Sequence, residues 1–216
     1  MRITINAPEN LSEITLRQYQ DFLNVEEPQT DDVVRIFMRL SQDTIDRIEK
    51  RKVEVLANNI LQLFEKEPPM VTLFNYNGKR WGYIPKLDSI SWGENRDAGA
   101  YLPNEENKWD NVHKAMAVFY RPVISERKGK YIIEKYKGSA EYSDELKDMP
   151  LSIAMGAYFF LLNLQIDLLS CTPDSIRKQL TEVELQMQVS LPSGGTTTNS
   201  THSVREILEG LTKLPI

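Results

Sequence analysis

The side chains best suited to chemistry in this chain are two histidines, one cysteine and 31 carboxylates. His113 lies in the segment NVHKAMAVFYRPV, where an imidazole would serve as a general base or a metal ligand. Either role needs partners. A zinc site needs several convergent Cys or His ligands, and a base needs a reacting group within hydrogen-bond reach. No histidine stands four residues from His113, and His202 falls in a Ser/Thr/Gly-rich stretch. Cys171 closes an apolar run, where a lone cysteine reads as a small hydrophobe. His113 is therefore expected at the polar edge of a helix. The apolar face of that helix carries Val112, Ala115, Met116 and Phe119, and Pro122 ends it.

The carboxylates are interspersed with lysines, the pattern of solvated helix faces. There is no glycine-rich phosphate loop, dinucleotide fingerprint or nucleophile elbow. No residue is assigned a catalytic or metal-binding role, and no cofactor is expected. A small metal-dependent hydrolase built from unassigned carboxylates is kept as a lesser alternative.

Charge restricts the partners. With 26 basic residues against the carboxylates, the formal net charge is -5, which argues against a general nucleic-acid coat. One stretch departs from this balance. Between Arg121 and Gly138, Arg121, Arg127, Lys128, Lys130, Lys135 and Lys137 face only Glu126 and Glu134, with Tyr131 and Tyr136 interleaved. On a hairpin these residues form a basic ridge. It would make a weak local contact with phosphate or meet an acidic partner surface, or it is a strand edge guarded by lysines.

The elements that carry these residues can be read from periodicity. Arg2 to Ile5 alternate as a short strand, and a helix begins near Ser12 with Leu16, Tyr19, Phe22 and Leu23 on one face. A second helix starts at Asp31. A third, with Val53, Leu56, Ala57, Ile60, Leu61 and Phe64, stops at Pro68-Pro69. The period then changes to two. Asn77-Gly78 marks a β-hairpin, and Gly129 marks a second. ISWGENRDAGAYL, between the hairpins, reads as at least partly helical.

Leu151 to Cys171 is the most apolar stretch, but its unbroken run is shorter than the ~20 residues of a membrane span, so it reads as a central helix buried on most sides. The expected fold is α+β, a mainly helical single domain over 1–190 with one or two antiparallel hairpins. Thr172-Pro173 restarts a helix after Cys171. A polar linker over 191–202 follows, reaching ~18 Å as a random coil. A tethered helix over 203–216 opens with a Ser203/Glu206 capping box. Its partner-binding face carries Val204, Ile207, Leu208 and Leu211. That helix would dock on its own domain or on a partner.

Four strings carry a resemblance: GYIPKLDSISWGE, HKAMAVFYRPV, YIIEKYKG and DMPLSIAMGAYFF. They resemble a family of small proteins encoded among the virion and assembly genes of tailed bacteriophages of Bacteroidetes, the crAss-like phages included. The similarity runs from about Leu11 to Leu169. It implies a non-enzymatic structural or packaged, cargo-type virion protein made in the host cytoplasm. Such a protein would sit in the head or tail interior, bound near the portal or tail barrel, oligomeric in the particle, with release alongside the genome as one variant. Its partners would be other virion proteins, with no membrane span. The alternative within the same context is a tail assembly chaperone that leaves before the particle is finished.

Overall fold

Two tight turns organise the sheet. In a computed structural model that describes residues 6–103 and 109–170, Asn77 and Gly78 take φ of 49° and 71°, and Lys128 and Gly129 take 51° and 74°. Paired left-handed residues match the twist of the strands they join, so both expected hairpins close. The first joins β1 (Leu73–Tyr76) to β2 (Lys79–Tyr83), and the second joins β3 (Tyr120–Arg127) to β4 (Lys130–Ile133). β2 also pairs antiparallel with β3, placing Gly82 opposite Arg121 and Tyr83 opposite Tyr120. The two hairpins thus merge into one four-stranded sheet in the order β1-β2-β3-β4.

The helices are α1 (Leu16–Leu23), α2 (Thr30–Phe37), the single turn α3 (Gln42–Ile45), α4 (Lys50–Gln62), α5 (Trp92–Tyr101), α6 (Val112–Phe119), the single turn α7 (Ser143–Leu146) and α8 (Leu151–Ser170). The α+β class expected from periodicity is what forms. α1 begins at Leu16, later than Ser12. The reason is local: Thr15 Oγ1 accepts from Gln18 N–H at 3.2 Å, and Gln18 Oε1 accepts from Thr15 N–H at 3.0 Å, a complete capping box. Gln18 then donates through Nε2 to the carbonyls of Ile36 and Phe37, satisfying acceptors left open where α2 ends. One glutamine starts a helix and finishes another.

The core runs between the helices and one face of the sheet, with Trp81, Tyr120, Met116, Leu146 and Leu151 fully buried. Two expectations change here. The helix surrounded on most sides is α6, in which every residue except Lys114 is buried. It packs on α5 and α7 and leads directly into β3, so a polar edge is not available to it. His113 is consequently interior, not a flank. In α8, by contrast, burial is concentrated at the start: Leu151 and Ile153 to Ala157 are buried, Tyr158 is half-buried and Phe160 is exposed. The compact unit to which this part of α8 belongs ends at Leu162, and a second unit begins at Asn163. The strand at Arg2 to Ile5, the helix restart at Thr172-Pro173, the 191–202 linker and the 203–216 helix lie outside the described residues.

Gly156 explains its own presence. A Cβ built there would lie 2.5 Å from the Pro69 carbonyl oxygen and 3.2 Å from that of Pro68, so α8 meets the Pro68-Pro69 backbone directly. Gly156→Leu is expected to lower stability by about 1–3 kcal/mol through overpacking, and Gly156→Ala by less but in the same direction. Urea unfolding of both variants checks the order. An unchanged midpoint for Leu would mean that the Pro68-Pro69 segment moves aside freely.

Candidate functional site

A cleft of about 540 Å³ opens between the start of α5 and the outer strand of the sheet. Alternation along β3 sends Arg121 to the face opposite Tyr120, away from the aromatic core. There its guanidinium Nη2 lies 2.6 Å from Glu94 Oε1, and its Cζ is 5.6 Å from the centre of the Tyr136 ring. Gly82, directly across from Arg121, leaves room for the Tyr131 ring, which a Cβ on it would meet at 2.7 Å. Tyr131 reaches across the sheet in that space and donates its hydroxyl to the Tyr83 carbonyl at 2.7 Å.

Glu94 is held by its own helix. Ser91 caps α5, its N–H donating to Glu94 Oε2 at 2.6 Å while Glu94 N–H donates to Ser91 Oγ at 3.3 Å. Burial pushes this carboxyl upward, but the Ser91 hydrogen bonds and the Arg121 charge outweigh it and hold Glu94 below the usual carboxylate range. Tyr136 is anchored in turn by donating to Asp97 Oδ2 at 2.6 Å. That bond, with help from Arg96, lowers Asp97, while burial and the Asp97 acceptor raise Tyr136. Arg121 remains incompletely matched. Its side chain is 7% exposed, and Nε has no hydrogen-bond acceptor among the described residues.

Around this polar floor the walls are apolar, from Ile84, Pro85, Ile90 and Ile133, with Lys86 and Lys135 also lining the cleft. Trp92, the residue after Ser91, is 82% exposed. A large indole left in water is the type of side chain that anchors protein contacts.

Comparison of the chain with protein-family models, curated proteins and solved structures finds no match.

The six basic residues expected on one ridge are divided by the structure. Arg127, Lys128 and Lys130 are exposed around the β3–β4 turn, beside exposed Ile124 and Ile132. Lys135 belongs to the cleft, Lys137 pairs with Glu141 at 3.4 Å, and Arg121 is interior and paired with Glu94. Tyr131 and Tyr136 point their hydroxyls inward to protein acceptors, so they are not free platforms for stacking bases. The partner-binding face proposed for Val204, Ile207, Leu208 and Leu211 lies outside the described residues.

Sequence reading passed over Glu94, Ser91 and Trp92. The signal was present: Ser91-Trp92-Gly93-Glu94 is an S-x-x-E capping box at a helix start. What the box could not reveal is that its Glu also serves a buried arginine 27 residues later in the chain.

His113 Nδ1 lies 3.2 Å from Gln20 Nε2, which also donates to the carbonyls of Trp109 and Asp110. An amide donor at Nδ1 selects the neutral imidazole with its proton on Nε2. Desolvation, reinforced by Lys147 and Lys114, lowers the His113 pKa to about 4. Among the described residues no three His, Cys, Asp or Glu side chains gather as metal ligands, and no helix is long and apolar enough to cross a membrane.

Proposed function

We propose that this chain is a non-enzymatic, cargo-type virion protein of a tailed bacteriophage that works by binding other virion proteins near the portal or tail barrel. The cleft beside α5 is its contact site. One convergence carries the reading. All twelve residues that line the cleft fall within GYIPKLDSISWGE, HKAMAVFYRPV and YIIEKYKG, three of the four strings on which the phage resemblance rests. Strings separated by up to about 50 residues in sequence meet in space at one apolar-walled, cation-bearing surface, and the exposed Trp92 follows its lining residue Ser91 in sequence. That combination favours protein recognition.

The test is quantitative mass spectrometry of purified particles beside infected-cell extract. A fixed copy number per particle is the expected result. Abundance in the extract with none in particles would favour the tail assembly chaperone instead. Deleting 203–216 is expected to reduce incorporation, since four apolar side chains at ~1.5–3 kcal/mol each are a substantial docking contribution before ordering is counted. Normal incorporation together with a lowered melting temperature would assign that segment to the protein's own domain.

A further inference from the structure

We infer that the open edge of β4 accepts an added strand from a partner protein, an extended segment with an aliphatic centre and a carboxylate on either side. The edge is distinct from the Arg121–Glu94 floor of the cleft, and the inference does not depend on the virion role.

The backbone makes the edge available. β4 ends the sheet, so among the described residues no strand pairs with its outer side. Antiparallel partners alternate between pairs that exchange both hydrogen bonds and pairs that exchange none. Arg127 and Lys130 flank the tight turn at Lys128 and Gly129, which makes them a bonded pair. Farther along, Glu134 N–H donates to the Pro122 carbonyl at 3.0 Å. Between these points the alternation turns the N–H and C=O of Tyr131 and Ile133 outward. A row of donors and acceptors of this kind is a template for a further strand.

Charge identifies the occupant. Arg127, Lys128, Lys130 and Lys135 are all exposed, and none forms an ion pair among the described residues. The carboxylates near them are engaged elsewhere, Glu126 with Arg80 at 3.3 Å and Glu134 with the Tyr142 hydroxyl at 2.6 Å. Arg127 also stands directly opposite Lys130, a like-charge pair that costs stability until an anion lies beside it. The apolar part of the match is Ile132, which is 59% exposed between Lys130 and Lys135. A strand laid along β4 therefore meets cations at both ends and isoleucines, Ile132 and Ile133, in the middle.

The same charges disfavour the other occupants. Two copies of β4 paired edge to edge would bring their lysines together. The strand expected over Arg2 to Ile5 carries Arg2 and no carboxylate, so this chain offers the edge another cation there.

The test uses the full chain and the peptide Ac-Glu-Thr-Val-Val-Thr-Glu-NH2, which has the required pattern in either direction. Saturation with it is expected to slow hydrogen exchange at the Tyr131 and Ile133 amides about tenfold, with little change at Lys130 and Ile132, already bonded to β3. The same peptide with alternate amides N-methylated keeps its charge but cannot complete the ladder, and should bind about tenfold more weakly. Ac-Lys-Thr-Val-Val-Thr-Lys-NH2 should not bind. Reversing the charge with Lys130→Glu and Lys135→Glu should exchange the two preferences without lowering the melting temperature, since both side chains are exposed.

Equal binding of the N-methylated peptide would reduce the edge to a diffuse cationic surface and overturn the inference. So would a charge-reversed protein that still prefers the acidic peptide. Tyr131 and Ile133 amides already protected without peptide would also overturn it. Sedimentation would then assign the edge to a second copy if the chain is a dimer, and to the chain's own segment if it is a monomer.

Discussion

Arg121→Met is expected to destabilise the protein by about 3–5 kcal/mol, while Arg121→Met combined with Glu94→Leu is expected to recover most of that loss. The asymmetry follows from where the pair sits. Both side chains are almost wholly buried, so removing the guanidinium alone strands a carboxylate that its Ser91 partner satisfies only in part. Removing both charges leaves two apolar side chains between α5 and the sheet, and the desolvation penalty of the pair disappears with it. The single variant should also respond differently to acid. In the native protein the Glu94 pKa is depressed, so its contribution is present above the unfolded carboxylate value and is lost as pH falls through the lower folded one. Without Arg121 the folded value rises, and the acid-induced loss should begin at higher pH. Urea unfolding of the single and double variants at neutral and mildly acid pH measures both effects. Equal losses in the two variants would mean that Arg121 acts through packing and not through charge pairing.

The pair also marks how far the sequence alone could be read. The hairpins were legible because Asn77-Gly78 and Lys128-Gly129 solve a local problem, and local problems leave local signatures. A glycine inside a strongly apolar helix implies a close neighbour in the same local way, and at Gly156 that neighbour is Pro69. Charge counting places Arg121 as one cation of a ridge because it ignores how deep each residue lies along a hairpin. Burial falls along β3 from its start to its tip, so Arg121 meets α5 in the interior while Arg127 and Lys130 stay at the exposed end. Nothing between residues 94 and 121 announces that an N-terminal helix glutamate will meet that side chain. The contact is a product of β2–β3 pairing and of α5 lying over it.

His113 shows the same limit in a helix. A stripe of Val112, Ala115, Met116 and Phe119 predicts one buried face, and His113 lies off it. The prediction fails because α6 has protein on nearly every side, so burial no longer follows the stripe. The polar group is accommodated by Gln20 from α1, whose amide meets Nδ1.

That placement has a measurable consequence in acid. The folded-state pKa of His113 is lowered to about 4, first by desolvation and then by Lys147 and Lys114, with Asp144 opposing and Arg17 adding to the effect. An unfolded histidine titrates near ~6.5. Above that value the imidazole is neutral in both states and no penalty is felt. As pH falls from about 6.5 to about 4, the unfolded chain takes up a proton that the folded protein resists, and stability declines. The full difference of about 2.5 units corresponds to about 3 kcal/mol, reached near the folded pKa, below which the loss levels off. The depressed carboxyls of Asp32, Asp97, Asp148 and Glu94 add their own losses only at lower pH, so the upper part of the window belongs to the imidazole. His113→Gln, which never titrates, should therefore flatten the stability curve between about pH 6.5 and 4.5 whatever its absolute effect at neutral pH. The measurement is the slope of unfolding free energy against pH for the two proteins. Equal slopes would show that His113 gains its proton in the folded protein as readily as in the unfolded chain, and that α6 admits water where the structure packs Gln20.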